Sequence, residues 1–340
     1  MRALVYTAPG TVRLEERPHP EAPAEGELLV KIRVCGVCGS DVTDWYMTPR
    51  APVVLGHEPA GEVVAVGNGV TAFAVGDRVA LHHHMPCMVC ERCRRGAYTN
   101  CLQFKNTRLY PAGMAEYVRV PREIVNGDVL KLPASLSYEA GSLIEPIACC
   151  VRALDRARVK GGDSVLVIGA GFNGIVFGLL ARSWGADRVA ITDRTPARLD
   201  RARRLGLGTF NVDNSDVDDQ IKAWSGGDGA GVVLCTPSKI PVIDKALRYV
   251  APGGTLMLYG PPAPAESWAL DMNDAFFKEI TITSSYSASP YDTRRALSLL
   301  SDGVIHPDDL ITHRFPLAEA QTAWEMTRAA GDSLKIVVTM

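Results

Sequence analysis

From Asp163 onward the chain alternates short apolar runs with helical stretches, and the first run ends in a glycine pattern. SVLVIGAG is followed by a helical stretch from Asn173 to Trp184, then RVAITD, then another from Pro196 to Leu205. Further apolar runs occupy 231–236, 254–260 and 280–286. Such alternation predicts a parallel sheet, because parallel neighbours need a crossover between them. Gly169-Ala170-Gly171-Phe172-Asn173-Gly174 reads G-x-G-x-x-G. Alone that pattern is weak. Here it sits between an apolar strand, Val165 to Ile168, and the opening of a helix. Gly169 permits the tight turn, Gly171 lets backbone approach a pyrophosphate, and Gly174 lets helix and sheet pack closely. The helix start then offers unpaired N–H groups to phosphate.

Asp193 closes the next strand, nineteen residues past Gly174. A carboxylate there accepts hydrogen bonds from ribose hydroxyls and repels a 2′-phosphate, which favours NAD over NADP. Arg194 and Arg198 keep NADP open, since a nearby arginine accommodates that phosphate. A glycine turn in a non-binding α/β domain is the bland alternative, and strand, helix and acid together speak against it.

The first 150 or so residues have a different texture. Short β-segments (Leu28 to Val34, Gly61 to Val66, Asp77 to Leu81) are separated by Gly-, Pro- and Asn-containing turns. No long helical period precedes about Tyr138. The tail offers helix segments at Thr293 to Ser301 and Leu317 to Arg328, a loop around His306-Pro307, and a final strand from Lys335 to Thr339. At 340 residues, with 47% apolar and 22% charged, the chain has room for two ordinary globular domains. A net charge of −2 gives no basic field for nucleic acid or an anionic membrane. No apolar run reaches the roughly 18 residues of a membrane span, and the opening MRALVYTAPG lacks a signal-peptide core. The expectation is a cytoplasmic chain with reduced thiols.

Cys87, Cys90, Cys93 and Cys101 form C-x2-C-x2-C-x7-C. Two-residue gaps suit a metal better than disulfide geometry, and four thiolates close a tetrahedral zinc site with no open position. Arg92, Arg94 and Arg95 beside them favour thiolates. Cys35, Cys38, Cys149, Cys150 and Cys235 make up the odd total of nine, which does not look like a disulfide framework. Upstream stand Cys38, in Val37-Cys38-Gly39-Ser40-Asp41, and His57-Glu58, in Gly56-His57-Glu58-Pro59-Ala60-Gly61. One thiolate, one imidazole and one carboxylate hold zinc while leaving room for a further ligand. Glu145, in Ile144-Glu145-Pro146, is a second carboxylate of interest. Spacing alone does not link these residues, and a single histidine is more often a hydrogen-bonded core or surface residue than a ligand.

These motifs, with GHEPAGEVVAVG and GDRVAL near the start, resemble the zinc-containing medium-chain dehydrogenase/reductase superfamily over essentially the whole chain. The resemblance is to the polyol (sorbitol-type) and threonine dehydrogenase branch. It implies an α/β two-domain fold: a GroES-like β-rich catalytic domain at 1–149 and 287–340, with a structural zinc lobe at about 85–103, and a Rossmann NAD-binding domain at 150–286. It implies two Zn2+ per subunit. Residues at the positions of Cys38, His57 and Glu58 build the catalytic zinc site, and Glu145 matches an acid that ligates zinc or bonds its water. The cysteine tetrad matches the structural site. Ser40 matches a hydroxyl that bonds the substrate oxygen and starts a proton relay. Asp41 matches a carboxylate that orients the histidine ligand. Gly169, Gly171, Phe172, Asn173, Gly174, Asp193, Arg194, Arg198 and Tyr286 fall at cofactor-facing positions. His84 resembles a substrate-side histidine of threonine dehydrogenases, while His82-His83-His84 reads equally as a solvated or locally bonded run.

The implied reaction is reversible, NAD-dependent oxidation of a secondary alcohol of a polyol, sugar or cyclitol to a ketone. A 3-hydroxy amino acid such as L-threonine is the alternative. Other classes on the same residues are a zinc-free reductase, an NAD-binding sensor and a zinc-bearing nucleic-acid module. The family forms homo-oligomers, and a tetramer is expected ahead of a dimer. Three departures stand out. Thr43 replaces a relay histidine and cannot act as a base near neutral pH. Ser285 stands where sorbitol-type enzymes carry arginine, although Tyr286 beside it is retained. Asn173 replaces an apolar residue behind the nicotinamide.

Overall fold

The computed structural model describes all 340 residues, which divide into two compact units. The first comprises Met1–Ala148 and Ala288–Met340, the second Cys149–Ser287. No helix is long and apolar enough to cross a membrane.

The first unit is built on a seven-stranded, mostly antiparallel sheet. Its path runs Ile311–Pro316, Lys335–Thr339, Leu28–Val37, Glu58–Val66, Arg78–Leu81, Val129–Lys131, with Tyr117–Val120 also paired to Leu28–Val37. A smaller sheet joins Thr11–Glu16, Arg2–Ala8 and Val53–Val54. Leu28–Val37 carries the logic of this unit. Leu28, Val30 and Ile32 alternate into one core cluster with Val63, Val79 and Val118. Between Ile32 and Val34 the register slips against Glu58–Val66, and beyond it Cys35 and Val37 enter a second cluster with Leu4, Tyr6 and Trp324. A bulge of this kind re-aims the residues that follow it, and Cys38 is the residue immediately past the strand.

The second unit is a six-stranded, all-parallel sheet in the order Gly208–Asn211, Arg188–Asp193, Ser164–Ile168, Ala230–Cys235, Val250–Leu258, Thr281–Ser284. Ser164–Ile168 is apolar along its length because both faces are covered. The chain builds outward from that strand in one direction, then returns to lay Ala230–Cys235 on its other side. Ligands of open α/β sheets bind where the strand order reverses, outside the carboxyl ends of the strands. The glycine turn begins there.

Several elements differ from the sequence expectation. The strand expected from Gly61 begins at Glu58, and the strand expected from 254 begins four residues earlier, as Val250–Leu258. The segment Leu317 to Arg328 opens as a 3-10 turn, Leu317–Glu319, before the helix Ala320–Ala329. The expected loop at His306-Pro307 is a short helix, Pro307–Leu310, with proline tolerated in its first turn. Ile311–Pro316 was not foreseen as a strand. Its mixed polarity hides it, and its pairing is a parallel one with Lys335–Thr339.

Candidate metal centre and cofactor turn

Strand register explains why distant residues of the first unit meet. Gly36 pairs with Glu58 and Cys35 with Pro59, so Cys38, just past one strand, comes beside His57, just before the other. A Cβ at Gly36 would stand 1.9 Å from the Glu58 carboxylate. Any larger residue there would evict that side chain. Ligand atoms of Cys38, His57 and Glu58 all lie within 4.8 Å of one another.

Asp41 organises this set. One carboxylate oxygen accepts the Cys38 backbone N–H at 3.0 Å, and the other lies 3.3 Å from His57 Nδ1. The loop carrying Asp41 is pinned in turn, because Trp324 Nε1–H donates to the Asp41 carbonyl at 2.8 Å. Burial disfavours a charged His57, but the Asp41 carboxylate and the Cys38 thiolate outweigh it and raise its pKa well above the usual value. Two anions that favour a proton on that ring favour a cation equally. A partly buried group of one thiolate, one oriented imidazole and one carboxylate is thus chemically suited to zinc. Glu58 also meets the Lys335 ammonium, 2.8 Å from both carboxylate oxygens. Burial pulls the Lys335 pKa down, yet Glu58 outweighs that and raises it.

Glu145 lies in the first turn of the helix Ile144–Ala157. It is not a member of the Cys38 set; its ligand oxygen groups with His82 and His83 within 4.8 Å. The register again supplies the reason. Ala60 pairs with Ala80, and Leu81 with Val129, so His82 emerges beside Glu58 and Asp128. The three histidines prove unequal. His82 is buried, with Nδ1 2.6 Å from Asp128 Oδ2. His83 packs near His57, ring centroids 5.0 Å apart and the rings tilted by 55°. His84 is held by the Thr107 carbonyl at 2.9 Å and packs on Phe104. Burial, with His82 and Arg108 adding to it, pushes the His84 pKa down to about 3. Of the two sequence readings of His84, the locally bonded one describes its surroundings.

Ser40 sits half-buried in the short helix Gly39–Val42. The Thr43 hydroxyl donates to the Gly39 carbonyl at 2.8 Å.

Cys87, Cys90, Cys93 and Cys101 form a second cluster, with all four sulfurs within 4.8 Å of one another. None is disulfide-bonded. Backbone N–H groups of Val89 and Cys90 draw the Cys87 thiol down to about 6, while burial and neighbouring thiols push Cys93 up to about 12. One thiolate suppresses the next when nothing cationic stands between them, and a zinc ion removes that conflict.

In the second unit a Cβ at Gly174 would fall 1.8 Å from the Gly169 carbonyl, so helix and strand could not close on any other residue. At Gly171 the nearest atom to an added Cβ is an Arg198 guanidinium nitrogen at 3.8 Å, which leaves the cradle open. Asp193 accepts the Ala170 N–H at 2.7 Å and the Thr195 N–H at 2.8 Å, and so is fixed at the mouth of the turn. Arg194 is exposed and Arg198 half-buried. Phe172 is buried. Asn173 Oδ1 lies 3.6 Å from the Cys150 thiol. Ser285 follows the edge strand, and Tyr286 is exposed.

Lys335, His82, His83 and Asp128 were missing from the sequence-derived site. The triple histidine was the one signal available for two of them, and nothing local marks Lys335 or Asp128.

Two family models match: "Alcohol dehydrogenase GroES-like domain" over residues 24–134 and "Zinc-binding dehydrogenase" over residues 174–302. The chain is 32% identical over 340 residues to a probable D-xylulose reductase A of Aspergillus clavatus, covering 96% of this chain and 93% of that protein. It is 30% identical over 352 residues to a sorbitol dehydrogenase of Bacillus subtilis, covering 99% and 97%. Among solved structures, a putative zinc-binding dehydrogenase of Sinorhizobium meliloti 1021 bound to NADP superposes with a TM-score of 0.86 at 29% identity, covering 100% and 99%. An alcohol dehydrogenase of Escherichia coli CFT073 complexed with NADH superposes with a TM-score of 0.88 at 25% identity, with the same coverage.

Proposed function

The chain belongs to the zinc-containing medium-chain dehydrogenase/reductase family, in its polyol branch, and from that membership we propose that it interconverts a secondary alcohol of a polyol, sugar or cyclitol with the corresponding ketone, using NAD. Zinc, a nicotinamide cofactor and a small alcohol substrate come with the family. The convergence of Cys38, His57 and Glu58 within 4.8 Å is the observation that carries the reading. The D-xylulose reductase and sorbitol dehydrogenase names of the relatives support a polyol-type substrate.

Cys38, His57 and Glu58 would hold a catalytic zinc, with Glu145 as the further acid of the pocket and the four lobe cysteines holding a structural one. When bound, the catalytic ion supplies Lewis acidity that lowers the pKa of a substrate hydroxyl. The protein's own contribution is orientation. Asp41 fixes the His57 ring and the Cys38 backbone together, and Lys335, 2.8 Å from both Glu58 oxygens, favours the carboxylate against the burial that raises its pKa. Ser40, two residues past Cys38, takes the substrate proton outward. Thr43 does not extend that relay, because its hydroxyl proton is committed to Gly39.

A panel of polyols, sugars, cyclitols and L-threonine, followed by NADH absorbance with and without chelator, tests the reading. Turnover with a polyol, sugar or cyclitol, abolished by chelation and restored by Zn2+, is the expected result. Turnover confined to L-threonine would move the assignment to the 3-hydroxy amino acid alternative, and indifference to chelation would remove zinc from it.

NAD is preferred over NADP in this reading, on the strength of Asp193. Asp193→Gly is expected to lower the NAD:NADP ratio of kcat/KM by about 10- to 100-fold, the worth of hydrogen bonds to a charged acceptor. An unchanged ratio would disprove the assignment. We also assign the enzyme to the cytoplasm as a homo-oligomer, a tetramer ahead of a dimer. The open edge strand Thr281–Ser284, with Phe276 and Phe277 exposed just before it, supports self-association.

A further inference from the structure

We propose that the substrate carries an anionic end group, a phosphate ester or a carboxylate, and that Arg108, with Lys105 beside it, selects for it. The inference rests on the reaction assigned above and names the substrate class within it.

The short helix Leu102–Asn106 follows the last cysteine of the tetrad, and Thr107 ties its end to the histidine run. The Thr107 hydroxyl accepts the Met85 N–H at 2.9 Å and donates to the Gln103 carbonyl at 2.9 Å. Its carbonyl meets His84 Nδ1 at 2.9 Å and Arg108 Nη1 at 2.6 Å. The same Nη1 lies 3.1 Å from His84 Nδ1. The guanidinium is therefore folded back against the His84 ring and held there. A row of imidazoles joins that ring to the metal ligands: the centroids of His84 and His83 are 4.0 Å apart, and those of His83 and His57 5.0 Å.

What Arg108 lacks is an anion. Its contacts to protein run through Nη1 alone, so the N–H groups of Nε and Nη2, three of the five donors of a guanidinium, face no protein acceptor. No carboxylate pairs with it. The neighbouring arginines are differently placed, since Arg95 pairs with Glu91 at 2.7 Å, and Arg92 and Arg94 cap the carbonyls of Asn100 and Val89. Lys105 brings a second positive charge close by: burial lowers its pKa, and Arg108 lowers it further. Like charges this near repel, and an anion between them turns the repulsion into attraction. The planar fork of an arginine offers parallel N–H groups to two oxygens of one carboxylate or phosphate.

The spacing suits a sugar-sized molecule. At about 1.5 Å per bond, an extended chain of five or six carbons is about 5–7 Å long. With its reacting hydroxyl at the Cys38 set, such a chain covers most of the distance spanned by the three rings and leaves its end group beside Arg108. A neutral hydroxyl at that end would leave both cations without a counter-charge.

Zinc-loaded enzyme with NAD, assayed on D-sorbitol, D-sorbitol 6-phosphate and D-gluconate, compares a neutral, a phosphate and a carboxylate end. At least one charged compound is expected to exceed D-sorbitol in kcat/KM by about 10- to 100-fold, the worth of a hydrogen bond to a charged group. The advantage should reside in KM and shrink as salt rises. Which charged compound leads identifies the end group. Arg108→Ala should lower the charged-to-neutral ratio of kcat/KM by about 10- to 100-fold, Lys105→Ala by less, and Arg108→Lys should recover part of the loss. Arg108 is exposed, so its replacement leaves the core untouched. D-sorbitol matching or exceeding both charged compounds, or a ratio unmoved in Arg108→Ala, would overturn the inference and leave alcohol oxidation standing. Absence of turnover on every alcohol of the wider panel would strike the reaction instead. Calorimetric titration of D-sorbitol 6-phosphate and D-gluconate into parent and Arg108→Ala protein decides the inference in that case: binding about 10- to 100-fold weaker in the variant supports it, and equal binding refutes it.

Discussion

Cys38→Ser is expected to lower turnover on the order of 10³-fold or more, with one equivalent of zinc lost and cofactor affinity essentially unchanged. The magnitude follows from the several kcal/mol that a Lewis acid contributes to a developing oxyanion, at 1.36 kcal/mol per tenfold. The selectivity follows from the fold. Cys38 belongs to the antiparallel sheet of the first unit, while the glycine turn and Asp193 belong to the parallel sheet of the second. A hydroxyl in place of the thiolate removes the softest ligand and the anion that, with Asp41, draws positive charge to His57. Metal analysis and NADH fluorescence titration on the same sample check both halves. Normal turnover from a protein whose Cys38 set holds no metal would refute the role given to this residue.

Cys93→Ser is expected to melt the segment between Cys87 and Cys101 rather than the whole unit. Cys93 is almost fully buried, and its cluster is small: Cys101 and Phe104, with Cys87, Cys90 and Tyr98 packed around them. Burying one phenylalanine contributes about 3 kcal/mol, whereas ordering each backbone residue costs about 1–2 kcal/mol. The fifteen residues from Cys87 to Cys101 therefore need metal to stay folded, as other small thiolate lobes do. Hydrogen exchange should rise on the order of 10³-fold or more for their backbone amides, with one zinc equivalent lost, while the amides of Leu28–Val37 stay protected. Retained protection in the lobe would mean that packing alone suffices.

The parts of this protein legible in the sequence are those whose chemistry is local. The glycine turn, the acid that follows it and the cysteine run each declare themselves within a few dozen residues. The Rossmann alternation was legible for the same reason, because each crossover returns the chain to a neighbouring strand. Illegible were contacts set by sheet register between remote segments. Lys335 and Glu58 are 277 residues apart, Thr293 and Asp128 are 165 apart, and His82 and Asp128 are 46 apart. No periodicity couples such pairs. The position of Glu145 was open for the same reason: grouping it with Cys38 came from resemblance alone, and its carboxylate lies within 4.8 Å of His82 and His83 and shares a cavity with Glu58. Even the bulge in Leu28–Val37 is invisible in its composition, although it decides which core receives Cys35 and where Cys38 emerges.

Asp41 has a consequence for how such a chain can drift. The same carboxylate grips the backbone amide of one metal-binding residue and the ring of another, nineteen positions further on. Exchange for an amide would disturb both at a stroke, so neither partner is free to wander while the acid stays, and neither gains by its departure. Two positions that selection would otherwise treat separately are thereby inherited as a single trait.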